Sequence, residues 1–191
     1  MGKIKYLDSV TNLFNKSPIV DFESIKKHVK NSNYAKLLVH NLIVKNKINK
    51  ITKGFYTKHN NPELAVFTFN RSYLGLQDAL SFYNLWEQET IPIIITSQKV
   101  RTGIRTIMGS NVLIRHIDSK FLFGYDYVKK GELAYPYSDV EKTFIDMVYF
   151  KENLNQETIR NIIKKINKKR LCNYLKKYPK KFREIIMNYL K

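Results

Sequence analysis

A stretch near the end of the first third of the chain, INKITKGFYT, has the pattern of a β-hairpin: two short strand-like runs flank a Lys-Gly pair. Gly54 supplies the positive φ that a tight turn requires, and Lys50 and Lys53 lie at or near the tip of that turn. The stretch therefore predicts a hairpin that carries lysines. Its two predicted strands are Ile48–Ile51 and Phe55–Thr57.

Three short helical patterns precede this hairpin, each with apolar residues recurring at intervals of three and four. The Ser17-Pro18 pair ends the first of them. Asp21 is placed to cap the second, and Asn31 or Ser32 is placed to cap the third. The three predicted helices are Lys3–Lys16, Phe22–Val29 and residues 32 to about 46.

The third predicted helix has two faces of different chemistry, since successive residues are about 100° apart around a helix axis. Ala35, Leu38 and Leu42 fall on one side and are expected in the core. The opposite side carries side chains of the types that hydrogen-bond to bases or pair with phosphates, with Ile43 as its one apolar residue. These polar residues are Asn33, Lys36, His40 and Lys47.

Three helices followed by a basic hairpin form the element order of a winged helix-turn-helix, whose third helix enters the major groove while the hairpin contacts the flanking backbone. The alternative is an ordinary hairpin with solvated lysines. We predict an α+β protein, with a winged helix-turn-helix over residues 1–60 and a mixed α/β domain with a helical C-terminal extension over residues 61–191. The predicted DNA-binding residues are Ser32, Asn33, Lys36, His40, Lys47, Lys50 and Lys53.

The charge of the chain is distributed unevenly. The formal net charge is +18. Residues 1–60 hold 12 basic and 3 acidic residues, residues 61–150 hold 9 and 10, and residues 151–191 hold 13 and 3. A basic excess at both ends of a neutral middle favours a polyanion, most simply nucleic acid, as the partner of at least one end.

Several blocks of the sequence, in their order and spacing, resemble the AbiEi family of type IV antitoxins, which are also described as transcriptional regulators of viral defence systems. The similarity spans roughly residues 20–150. The blocks are YAKLL at 34–38, INKITKGFYT at 48–57, YLGLQDALSFYNL at 73–85, IPIIIT at 91–96 and VEKTFIDMVYF at 140–150.

The resemblance implies an N-terminal winged helix that binds inverted repeats of double-stranded DNA in its own promoter. It also implies a C-terminal domain that counteracts a cognate toxin, a nucleotidyltransferase-like protein. The alternative function is that of a stand-alone winged-helix regulator, and a Mg²⁺-dependent nuclease is a more distant third. A gene for a nucleotidyltransferase-like protein directly downstream would favour the antitoxin.

The middle third of the chain is predicted to form a small mixed sheet backed by helices. Its helical patterns begin at Pro62 and Leu76. The predicted strands are Ile91–Thr96, Asn111–Ile117, Phe121–Tyr127 and Leu133–Tyr137.

A polar segment of this middle third, SQKVRTGIRTIMG, is predicted to be a loop. Its cations either contact a phosphate backbone or are solvated, as most charged surface residues are. These cations are Lys99, Arg101 and Arg105.

A cluster of acids beside a lysine is the one place in the sequence that suggests catalysis, because carboxylates hold Mg²⁺ in nucleases. The cluster is Glu132, Asp139, Glu141, Lys142 and Asp146. Its adjacent Glu-Lys pair does not match the acid-x-Lys spacing of restriction-type nucleases, and Ser138 with Glu141 instead fits a capping box. We therefore predict no enzymatic activity, no metal site and no cofactor.

The last third is predicted to be helical. Asn155 is placed to cap a first helix with a stripe of isoleucines, a second helix carries Leu171 and Leu175, and a third follows Pro179. The opposite faces of these helices are basic. Three roles are open for this basic surface: contact with an acidic toxin, an extension of the DNA contact, or exposure to solvent alone. Its cations are Arg160, Lys164, Lys165, Lys168, Lys169, Lys176, Lys177, Lys180 and Lys181.

Two observations bear on the compartment. No apolar run approaches the roughly 18 residues of a membrane span, and the first residues lack the apolar stretch of a signal peptide. We therefore expect a cytoplasmic protein with no membrane partner. The single cysteine, Cys172, lies among apolar residues and is expected to be a buried, inert thiol.

Overall fold

The computed structural model describes residues 6–190. Helices and strands are mixed along the chain, which confirms the predicted α+β class. The chain divides into two compact units. The N-terminal unit comprises the described residues up to 68 together with 106–110, and the C-terminal unit comprises 69–105 and 111–190.

The N-terminal unit consists of three helices, a small antiparallel sheet and a terminal 3-10 helix at Pro62–Thr68. The sheet has the strand order β1-β3-β2. The helices are α1 (Leu7–Lys16), α2 (Phe22–Val29) and α3 (Ser32–Val44), and the strands are β1 (Val20–Asp21), β2 (Asn49–Thr52) and β3 (Phe55–Thr57).

Two side chains fix where the second and third helices begin. The Asp21 carboxylate accepts a hydrogen bond from the backbone N–H of Ser24 at 2.6 Å and caps α2, as predicted. Asn31 caps α3 by accepting from the N–H of Tyr34 at 2.9 Å, which decides between the two predicted caps.

The ends of two helices differ from the prediction. The first predicted helix begins at Lys3, which lies outside the described residues; the structure has α1 from Leu7. The third ends at Val44 rather than near Asn46, because Asn46 takes a positive φ of 53° that closes the helix. Lys47 therefore lies beyond α3 and not on its face.

The core of the N-terminal unit is formed by the apolar sides of its three helices. Ala35, Leu38 and Leu42 of α3 are buried, as the sequence predicts. They pack in one cluster with Ile25 of α2 and Phe14 of α1. This core holds the opposite side of α3 toward solvent.

The C-terminal unit contains a six-stranded sheet with the order β6-β7-β5-β4-β9-β8, except for residues 106–110 at the turn between β6 and β7, which are grouped with the N-terminal unit. The sheet is mixed, since β4–β9 and β5–β7 are parallel whereas β4–β5 and β8–β9 are antiparallel. The strands are β4 (Ser72–Leu74), β5 (Ile93–Thr96), β6 (Gly103–Ile107), β7 (Ser110–His116), β8 (Tyr125–Lys130) and β9 (Leu133–Ser138).

Five helices accompany this sheet. The last three confirm the helical prediction for the last third, with Asn155 capping the first of them. The helices are α4 (Leu76–Phe82), α5 (Val140–Tyr149), α6 (Gln156–Lys165), α7 (Lys168–Leu175) and α8 (Lys180–Asn188). Within the described residues, no helix has the length and apolar composition needed to cross a bilayer.

Two predictions about the strands were wrong. The segment predicted as a loop at 97–109 contains β6, which is an edge strand of the sheet among the described residues, a position where charged side chains are common. The strand predicted from Phe121 begins only at Tyr125, since Asp118 caps a 3-10 helix at Ser119–Phe121.

The predicted capping box at the start of α5 was also wrong. Asp139 is the cap, and its carboxylate accepts from the N–H of Lys142 at 2.7 Å. The Ser138 hydroxyl shares a hydrogen bond of 2.7 Å with Thr143, and Glu141 accepts from the N–H of Asn167 at 2.6 Å. Glu141 therefore holds the start of α7 rather than the start of its own helix.

The expected burial of the single cysteine was wrong as well. Cys172 is exposed, whereas its neighbours Leu171 and Leu175 are buried. Cys172 lies about 100° around α7 from Leu171, which places it off the buried side of that helix.

Candidate nucleic-acid interface

An exposed stripe runs along α3 on the side opposite the core. Asn33, Lys36 and His40 are all exposed on this stripe, at the spacing of successive helical turns. Ser32, at the first turn of the helix, is half-buried. The stripe therefore brings three of the predicted residues onto one solvent-facing surface.

Two apolar residues that the sequence reasoning missed complete the same stripe. The side chain of Leu37 is 53% exposed and that of Val44 is 66% exposed. Both lie within about 60° of His40 around the helix axis. The helical periodicity of the sequence is therefore sufficient to place them on this stripe. Ile43, predicted on this side, instead packs against the core cluster. Exposed apolar groups beside polar ones suit a base edge that carries a thymine methyl group.

The hairpin formed by β2 and β3 presents the second part of the candidate interface. Lys50 is exposed on β2 opposite Tyr56, and Lys53 is exposed in the turn. Gly54 takes a φ of +84°, as the prediction requires. Its carbonyl oxygen accepts a hydrogen bond of 2.8 Å from the N–H of Phe22, which ties the turn to the start of α2.

The lysines of this interface are not neutralised within the unit. Among residues 6–190, no carboxylate forms a salt bridge with Lys36, Lys50 or Lys53. Asp21 serves as a helix cap and Glu23 pairs with a lysine of its own helix. The charge of the three lysines is therefore available to phosphate groups.

Lys47 occupies a different environment from the other predicted residues. Together with Lys45 it lines an apolar groove between α1 and α3. The structure thus separates Lys47 from the stripe on α3, to which the sequence had assigned it, because the helix ends before it.

The acidic cluster of the C-terminal unit has structural partners. Lys142 and Asp146 form an ion pair in which both side chains are 0% exposed. Asp146 also accepts from the Tyr73 hydroxyl at 2.6 Å, and Lys142 donates to the Tyr178 hydroxyl at 3.2 Å. Burial raises the pKa of Asp146 and lowers the pKa of Lys142.

Of the remaining acids of that cluster, Asp139 and Glu141 are also engaged, whereas Glu132 is exposed in the turn before β9. Asp139 accepts from the Tyr174 hydroxyl at 2.6 Å, and burial raises the pKa of its carboxyl. Arg170 lies 3.5 Å from the carboxylate of Glu141. Within the part of the chain that the structure describes, no group of three or more His, Cys, Asp and Glu side chains is arranged to hold a metal ion.

The basic faces of the last three helices are exposed, but some of their lysines have partners. Lys165 donates to the carbonyl oxygen of Tyr83 at 2.7 Å. The ammonium of Lys177 lies 3.9 Å from the centre of the Phe123 ring, a cation–π distance. Part of this surface therefore serves the packing of the helices onto the unit.

Comparison with solved structures shows a shared fold. A crystal structure of the RV2827C protein from Mycobacterium tuberculosis is similar, with a TM-score of 0.61 over 97% of this chain and 75% of that chain. The two sequences are 11% identical, so the likeness concerns the fold alone. A scan against protein-family models and a search of the curated proteins give no match.

Proposed function

We propose that this protein is a DNA-binding antitoxin of a type IV toxin-antitoxin system. In this proposal the N-terminal unit is a winged helix-turn-helix that represses its own operon by binding inverted repeats in the promoter. The C-terminal unit counteracts a nucleotidyltransferase-like toxin, without catalysis of its own and without a cofactor. The promoter DNA and the toxin are both bound in the cytoplasm.

The observation that carries the DNA-binding part is the exposed polar stripe on α3 together with an exposed basic hairpin in the same unit. The element order, with β1 between the first two helices and the β2–β3 hairpin after the third, agrees with a winged helix. In such a domain α3 would enter the major groove, so that Asn33 and His40 meet base edges. Lys50 and Lys53 would contact phosphates, which carry no sequence information directly.

The antitoxin part is supported by a different observation, the AbiEi-like sequence blocks. Three of them lie in the C-terminal unit, where they form β4 with α4, β5, and α5. These elements build the centre of the sheet and the helix that carries the buried ion pair.

The division of roles between helix and hairpin is tested by two kinds of substitution. We expect Asn33→Ala and His40→Ala each to lower the preference for the operator over a scrambled duplex by about tenfold, because a good side-chain contact to a base gives roughly 1–3 kcal/mol of discrimination. Lys50→Ala is expected to weaken binding to both duplexes by the same factor. Fluorescence anisotropy titrations with both duplexes at one salt concentration measure these ratios.

Circular dichroism provides the control, since all three side chains are exposed and their removal should leave the helix content unchanged. An unchanged operator preference in both α3 variants would show that α3 does not read the bases.

A further inference from the structure

The largely apolar groove between α1 and α3 has no role in the proposed DNA contact. Its volume is about 440 Å³, within the range of small-molecule sites. The floor is formed by buried side chains of the N-terminal core. These floor residues are Phe14, Leu38, Leu42 and Ile48.

The groove is short. On α1 its lining runs from Leu7 through Thr11 to Phe14, and on α3 it runs from Leu38 to Lys45. Each span covers seven residue steps, which is about 10 Å along a helix axis. The anchors of a docked amphipathic helix, at i, i+3 or i+4 and i+7, cover the same seven residue steps, so the volume and the charges of the groove, rather than its length, indicate its occupant.

The charges at the groove have one sign. Three of the lining residues are lysines, Lys45, Lys47 and Lys58, and none is an aspartate or a glutamate. The ammonium of Lys58 is held toward α1 by a hydrogen bond of 2.8 Å to the side-chain oxygen of Asn15. An anionic group at the rim would therefore meet several positive charges without an opposing carboxylate.

From the apolar floor and the cationic rim we propose that this groove binds a small amphiphilic anion. The ligand class is an acyl or aryl carboxylate, whose hydrocarbon part lies on the floor while its carboxylate lies among the lysines. A compact inorganic anion would contact the lysines only and would gain nothing from the apolar floor. The site is independent of DNA binding and of the toxin.

Octanoate and octanol are the probes, since they share a hydrocarbon chain and differ in charge. Each is titrated into the full-length, ¹⁵N-labelled protein in the absence of DNA, and amide chemical shifts are followed. We expect octanoate to shift the amides that line the groove and to bind about tenfold more tightly than octanol, as charge-assisted contacts permit.

Three variants make the test specific. Lys45→Ala combined with Lys58→Ala should abolish the preference for octanoate while octanol binding is retained. Thr11→Trp, at an exposed position of the lining, should fill the groove and abolish binding of both probes. The matched control, Lys16→Ala with Lys27→Ala, removes two exposed lysines outside the groove and should change neither affinity.

Equal affinities of octanoate and octanol for the wild-type protein would overturn the proposal, as would shifts that map away from the groove. Concentration-dependent broadening of the same amides without any probe would assign the groove to a second copy of the chain and would also overturn it.

Discussion

Replacing Lys142 with methionine is expected to lower the free energy of unfolding of the C-terminal unit by about 3–5 kcal/mol. Lys142 and Asp146 are both fully buried, so the substitution leaves a carboxylate inside the protein without its cation. Only the Tyr73 hydroxyl remains to donate a hydrogen bond to it among the contacts described above. Trp86, the one tryptophan of the chain, packs against this core and reports urea unfolding of the unit by fluorescence.

The double variant Lys142→Met with Asp146→Asn is the matched control. It removes both charges and keeps a side-chain oxygen that can accept from Tyr73. We expect it to recover most of the lost free energy, because the uncompensated buried charge, rather than the lost ion pair, causes the large loss. A single variant as stable as the wild-type protein would contradict the burial of this pair.

The loss of unfolding free energy in the Lys142→Met variant should depend on pH. Burial raises the pKa of Asp146, and the neighbouring ammonium of Lys142 opposes that rise until the substitution removes it. With a folded pKa above the unfolded value of about 3.9, the native state binds a proton that the unfolded state releases, so stability falls as pH rises through that window. The deficit relative to the wild-type protein should therefore be smaller at pH 5 than at pH 8.

Replacing Lys36, Lys50 and Lys53 together with alanine is expected to weaken operator binding by about a hundredfold near physiological salt. The slope of log K against log salt is negative, and each lost phosphate contact makes it shallower by about 0.9. The loss of three contacts should therefore reduce its magnitude by about 2.7. Anisotropy titrations between about 50 and 200 mM salt measure both quantities. A control variant removes the same charge from other exposed positions by replacing Lys16, Lys27 and Lys129 with alanine. It should change the operator affinity and the salt dependence much less.

The variant that lacks Lys36, Lys50 and Lys53 also separates the two proposed activities. In cells that express the cognate toxin, it should relieve repression of an operon reporter and still permit growth, because all three substituted lysines lie in the N-terminal unit. Growth arrest despite normal protein levels would show that neutralisation requires DNA binding. If the wild-type protein also fails to protect, the function is that of a stand-alone regulator.

The sequence predicts local features of the N-terminal unit well, because each depends on a few neighbouring residues. Asp21 as a cap, Gly54 in the turn and the core side of α3 all follow from short-range rules of helix capping and periodicity. The exposed positions of Asn33, Lys36 and His40 follow from the same periodicity.

Features set by tertiary contacts were not predictable in this way. Ser138 and Asp139 are both good caps, and the choice of Asp139 coincides with contacts to Tyr174 and Arg170, more than thirty residues away. The burial of the Lys142–Asp146 pair depends on α7 and α8 packing over α5, which no local pattern reveals. The position of Lys47 was missed because the helix was predicted to extend too far.

Sequence-specific DNA binding is tested by a titration of the wild-type protein with the duplex from upstream of its own gene and with a scrambled duplex of equal length and composition. We expect the upstream duplex to bind at least about a thousandfold more tightly at physiological salt, with both affinities falling steeply as salt rises. Equal affinities for the two duplexes, or binding that is insensitive to salt, would contradict the assignment of the N-terminal unit as a sequence-specific DNA-binding domain.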